Sequence, residues 1–270
     1  MNWEDLTAAD FEKAAADCGQ VCLLPIGVIE KHGDHLPMGM DLFEARGICA
    51  EASKIEPALV FPPYYFGHIH NSKHQPGSIA VKFELLLPLL ESVCDEISRN
   101  GLKKIIIVNG HGGNVNMLNF FSEMLLDREK DYVTFIATTF MFPQNAEETA
   151  ALSSKIDGHG GESETSEALR LFPELVKANT PGDYGASLER LSEYSKAGLM
   201  TRLCWYANHP GQLSCDQTAG SAEKGKIIVE SRAAKLAEMI KLVKSDDTPM
   251  KLYQRYLAQS RNPTVKNSAP

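Results

Sequence analysis

The sequence predicts an α/β fold, a single domain around a mostly parallel central sheet. Three observations predict it. Short apolar runs alternate with amphipathic stretches over the first two thirds of the chain, the pattern of repeated βαβ units. The segments 21–26 and 104–108 carry consecutive apolar residues, as strands buried on both faces do. No repeat and no clear linker divides the 270 residues, a length that can bury a substantial core.

The elements follow in order. An amphipathic helix is expected over 4–16, then the strand 21–26, then an irregular polar loop and a helix over 42–54. Residues 58–62 form a short apolar strand that runs into a loop rich in aromatics and His, 64–78. A helix over 83–99 has apolar residues at 3–4 spacing and stops at Asn100-Gly101. The strand 104–108 leads through a glycine-rich loop into a helix ending near 127, and 132–137 is a further strand. A helix opens near Glu162 and runs through Leu171; 173–217 reads as irregular. A long helix over 222–244 closes the compact part, so the domain is set at 1–245. Residues 246–270 are expected to be a polar, partly flexible extension anchored only by Leu252, Tyr253 and Tyr256.

Composition excludes some functions. A net charge of −8 is the wrong sign for a nucleic-acid footprint. Nothing approaches the roughly 18 consecutive apolar residues of a membrane span. The start, Met-Asn-Trp-Glu-Asp-Leu, lacks a signal-peptide pattern, so a cytoplasmic location is expected. Six cysteines without a CxxC read as reduced structural thiols.

Three polar clusters each follow an apolar strand, which would bring them to the same sheet edge. The first is Glu30, His32, His35 and Asp41; the second is His111 among glycines; the third is His159 with Glu162 and Glu164 at a helix start. Oxygen and imidazole donors without thiolate suit a borderline divalent metal such as Zn, Mn or Fe. Each cluster also has an ordinary reading. Paired His residues are common on surface loops. The loop 109–114 could cradle a phosphate, although its spacing fits neither GxGxxG nor a P-loop. Glu162 and Glu164 could simply complement a helix dipole. All three clusters together, after three strands, favour a metal site.

These motifs resemble the creatininase (creatinine amidohydrolase) family. The resemblance rests on Pro25-Ile-Gly-Val-Ile-Glu30-Lys-His32-Gly-Asp-His-Leu-Pro-Met-Gly-Met-Asp41, on Val108-Asn-Gly-His111-Gly-Gly-Asn114, and on His159-Gly-Gly-Glu-Ser-Glu164-Thr-Ser166. It covers about residues 4–240. It implies an α/β/α sandwich holding two divalent ions per chain, with zinc first and Mn or Fe next, and a homohexamer. Glu30 and His111 would ligate one ion and His32 the other, with Asp41 bridging. His159 would shuttle protons, with Glu162 as a further catalytic candidate. The implied reaction is hydrolysis of a C–N bond in a small-molecule amide, cyclic or formyl, by attack of a metal-bound hydroxide; some branches process peptides. A departure is also plain. The family enzyme's metal-binding Glu two residues after the second-motif His is here Gly113, which leaves Glu164, or else Glu162, to supply the ligand. The aromatic four residues before the shuttle His is here Lys155, which argues against creatinine itself. His74, Ser78, Gly112 and Gly113 are the candidate substrate contacts, and Trp205 with Tyr206 a candidate pocket wall. A metal-stabilised binding or scaffold protein that has lost the reaction is the alternative of a different class.

Overall fold

The computed structural model describes residues 1–154, 157–177 and 187–263. Four parallel strands form one sheet in the order β2-β1-β3-β4: β1 Val21–Ile26, β2 Leu59–Val60, β3 Lys104–Asn109 and β4 Val133–Thr138. The helices are α1 Ala8–Asp17, α2 Met40–Ile55, α3 Phe83–Arg99, α4 Asn114–Met124, α5 Ala146–Ala151 and α6 Glu162–Leu171. Short α7 Ser192–Lys196 and α8 Cys204–Asn208 follow, then α9 Ala222–Ser245 and α10 Thr248–Arg261.

Side chains alternate across the sheet and build two cores. Cys22, Leu24, Ile26, Ile105 and Ile107 pack in a cluster with residues of α1, α3 and α4, among them Leu90, Ile97, Leu118 and Phe121. Val21, Leu23, Ile106 and Val108 pack in another with residues of α2 and α9, among them Ile48, Ala52, Leu236 and Ile240. The expected α/β/α sandwich is present, and no helix among the described residues is long and apolar enough to cross a membrane.

Register aligns the strand ends. Ile26 pairs with Asn109, and Asn109 with Thr138, so β1, β3 and β4 end at one level. From β1 the chain passes to β2 on one side, and β3 returns on the other. The loops after β1 and β3 therefore meet at the point where strand order reverses, where open α/β sheets bind ligands.

Two stretches carry helices that the sequence reading does not place. After Ser245, the segment Thr248–Arg261 is a helix with Pro249 in its first turn. The Tyr253 hydroxyl lies 2.6 Å from the Arg128 carbonyl and accepts from the Lys130 amide. Its polar face conceals it, since few apolar residues mark it as packed. Residues 173–217 are not wholly irregular either, because α7 and α8 interrupt them, each under two turns long. The expected frayed end from 264 onward lies outside the described residues.

Candidate metal centre

Each ligand candidate is delivered by a different local device. Glu30 and His32 lie on the loop that leaves β1, and both are buried. Asp41 occupies the first turn of α2, close to the end of β3: a Cβ at Gly110 would lie 2.4 Å from the Asp41 carbonyl oxygen. Only glycine permits that approach. His111 follows β3, and Glu164 sits in the first turn of α6.

The side chains converge. His111 Nδ1 is 2.9 Å from Glu30 Oε1 and 2.8 Å from Asp41 Oδ2. His32 Nε2 is 2.8 Å from Asp41 Oδ1 and 3.6 Å from Glu164 Oε2. The two Asp41 oxygens thus face opposite histidines. Donor atoms of Glu30, Asp41 and His111, and again of His32, Asp41 and Glu164, lie within 4.8 Å of one another; Glu30, His32 and His159 form an overlapping third combination.

The donors fit divalent ions. Glu30 Oε1, His32 Nε2 and Asp41 Oδ2 are buried without a hydrogen-bond partner, although nitrogen and oxygen approach closely there. Buried polar atoms are rarely left so. Each histidine also has its other ring nitrogen on a backbone carbonyl: His32 Nδ1 to Glu30 (3.3 Å), His111 Nε2 to His68 (2.9 Å) and His159 Nε2 to Lys31 (2.8 Å). Donation to a carbonyl fixes the tautomer and aims the opposite nitrogen at the cluster, the usual support for a metal-binding histidine.

Electrostatics agree with a site built for cations. Burial resists the Asp41 charge, yet His32 and His111 hold its carboxyl well below the ordinary range. Burial also opposes charge on His32, but Asp41 and Glu164 raise it to about 10. Burial pushes Glu164 up to about 8. His159, stacked on His32 at 4.0 Å between ring centroids, is pushed down to about 4 by burial and then by its neighbour.

The remaining candidates divide. Gly112, Gly113 and His159 line a cavity of about 560 Å³ with Asn71, Phe140 and Trp205. Trp205 meets the His159 ring edge-on at 5.3 Å. Glu162 does not join them. It accepts hydrogen bonds from the Ser153 and Ser154 amides and pairs with Lys224. The reason is geometric, because residues two apart on a helix face different ways and Glu164 takes the inward direction. His35 also turns away, onto Thr165 Oγ1 at 2.9 Å. His74 is exposed, with its Nε2 2.9 Å from the Pro210 carbonyl, and Ser78 is absent from the cavity lining. The same loop instead delivers Asn71 to the cavity and Ser72 to the buried oxygens of Glu30 (3.1 Å) and Gln212 (2.8 Å). Neither Ser72 nor Gln212 carries a sequence signal, since hydroxyls and amides gain a role here only through burial. Lys155 lies outside the described residues.

Comparison with known proteins bears on this geometry at once. Residues 4–240 match the creatininase (creatinine amidohydrolase) family. The chain belongs to that family. It is 27% identical to the creatinine amidohydrolase of Pseudomonas putida over 256 residues, covering 88% of this chain and 95% of that one. It is 28% identical to the mycofactocin precursor peptide peptidase of Mycolicibacterium smegmatis over 223 residues, 77% of this chain and 79% of that one. A solved creatininase variant of zinc–zinc type superposes with a TM-score of 0.74 at 22% identity, covering 89% and 96% of the two chains. The creatininase-family chain is accordingly a hydrolase, with candidate ion ligands at the strand ends where its fold places a site.

Proposed function

We propose that this creatininase-family hydrolase is a dinuclear metal-dependent amidohydrolase that cleaves a C–N bond in a small cyclic amide or a formamide. The observation that carries this reading is the sharing of Asp41 between two three-residue ligand groups. Glu30, Asp41 and His111 would hold one divalent ion; His32, Asp41 and Glu164 would hold the other. Nitrogen and oxygen donors suit zinc first, in keeping with the zinc–zinc creatininase, and also Mn or Fe. Bound there, the ions would supply Lewis acidity and lower the pKa of a water molecule.

The chain's own groups would do the rest. Lys31 occupies His159 Nε2, which leaves Nδ1 as the free base, 3.8 Å from Glu30 Oε1. Burial keeps that imidazole neutral at neutral pH. It can take a proton from the attacking water at Nδ1 and return it to the departing nitrogen. Gly112 and Gly113 present backbone without side chains to the cavity, and Phe140 and Trp205 also line it.

A second reading, peptide processing, is supported by the mycobacterial peptidase among the relatives. A homohexamer follows from the family resemblance, and light scattering on the purified protein tests it. The deciding experiment is elemental mass spectrometry on protein purified without chelator, followed by a screen of cyclic amides, formamides and short peptides. Two ions per chain with turnover abolished by chelation is the expected result. No ion after reconstitution with Zn, Mn and Fe would favour the binding-protein alternative. His159→Ala should keep its ions and lose roughly 10²- to 10⁴-fold in turnover. An unchanged rate would make His159 a bystander.

A further inference from the structure

Beside the ligand groups, and reaching the same cavity through Glu44 and Arg232, lies a second buried cluster that the proposed reaction does not use. Arg232 of α9, 6% exposed, faces three buried carboxylates: Glu44, Glu148 and Glu167. Its Nη1 donates to Glu44 Oε1 at 3.0 Å and to both Glu167 oxygens at 2.9 and 3.0 Å. Its Nε lies 3.7 Å from Glu148 Oε1. Thr139 Oγ1, at the end of β4, also donates to Glu44 Oε1 at 2.8 Å.

The positions of these carboxylates matter. Glu44 follows Asp41 by three residues on α2, and Glu167 follows Glu164 by three on α6. Residues three apart on a helix share a face. Each arm of the guanidinium contact is therefore seated one turn beyond a candidate ligand of the second ion. Glu148 has no such relation, because α5 carries no candidate ligand. The backbone packs closely at the same place: a Cβ at Gly225 of α9 would lie 1.9 Å from the Ser166 carbonyl of α6. Ser166 Oγ also accepts from the Ser221 amide at the start of α9.

We propose that Arg232, through Glu44 and Glu167, is a positioning clamp that sets α6 against α2 and so fixes the separation of Asp41 and Glu164. The clamp rests on the dinuclear reading above. Its α6 arm bears on the second ion alone, because Glu30, Asp41 and His111 take nothing from α6, whereas its α2 arm also bears on Asp41, which both groups share. Metal–ligand distances in well-formed sites fall within about 0.2 Å of their standard values, so a slip between these helices would spoil the fit at the second ion.

The test is titration of the metal-free full chain with Zn²⁺ against a chromophoric chelator, which resolves two affinities, with circular dichroism to check folding. Glu167→Ala should weaken the second ion roughly 10- to 100-fold and leave the first unchanged. Glu167→Gln, whose amide oxygen still accepts from Arg232, should restore most of the loss. Glu148→Ala, which removes a charge from the same cluster, should bind both ions as the parent does. A merely structural cluster would instead make the two alanine variants alike. Glu44→Ala cuts the other arm and decides the matter if Glu167→Ala does not fold. Folded Glu167→Ala or Glu44→Ala with both affinities intact overturns the clamp alone. A parent chain that binds a single Zn²⁺ overturns the dinuclear reading and the clamp together.

Discussion

The two proposed ion positions share a carboxylate but are held by different parts of the fold. Glu30 lies on the loop that leaves β1, as His32 of the second position also does, and His111 lies two residues past β3; these adjacent strands are locked in register from Val21↔Lys104 to Ile26↔Asn109. A hydrogen-bonded ladder fixes such neighbours at about 4.8 Å and in one phase. The second position takes Glu164 from α6, which joins the sheet by no ladder and is seated against α9 by side chains and close backbone packing. On the proposed reading, the strand-end loops would hold the first position more rigidly, and the packing of α6 would leave the Glu164 side of the second more adjustable. A family with a common fold could retune its second ion by moving the residue that supplies it. In this chain Glu164 would, on the same reading, supply the ligand that Gly113 cannot.

Asp41→Ala should break the comparison most severely. It removes the one group common to both halves, so elemental analysis is expected to find almost no bound metal and no turnover. Two ions retained in that variant would sink the bridging assignment. Glu164→Ala should separate the halves: one ion stays, held by Glu30, Asp41 and His111, while the second is lost. Loss of both ions there would mean that the rigid half depends on α6 after all. Retention of both would return the vacant ligand place to another group.

The same division explains what the sequence disclosed. Strands β1 and β3 announce themselves because burial on both faces demands unbroken apolar runs, and the motifs beside them carry Glu30, His32, Asp41 and His111 at short range. The sequence leaves Glu162 and Glu164 as alternatives; two apart on α6 they face different ways, and it is Glu164 that lies beside His32. Arg232 was hidden, since a single Arg in an amphipathic helix usually marks a solvated face. Its burial comes from three glutamates distant in sequence. Helix α10 was hidden for a milder reason: Asp247, Thr248 and Pro249 form a good helix start, but the polar composition resembles a tail.

Gly113 sharpens the comparison through the smallest change. A Cβ there would lie 2.5 Å from His111 Nε2 and 2.7 Å from the His68 carbonyl oxygen. These are the two ends of the hydrogen bond that orients His111. Glycine is therefore a packing requirement of the rigid half as well as a missing ligand of the adjustable half, and a Glu side chain at this place would have to displace His111 before reaching an ion. Gly113→Ala should pry that bond open, swing Nδ1 off its aim and weaken the first ion about tenfold, while the second, which takes no donor from His111, changes less. The Zn²⁺ titration that resolves two affinities reads this directly. If the first affinity is unmoved, the loop absorbs the methyl group and Gly113 marks only the ligand that this chain supplies from elsewhere.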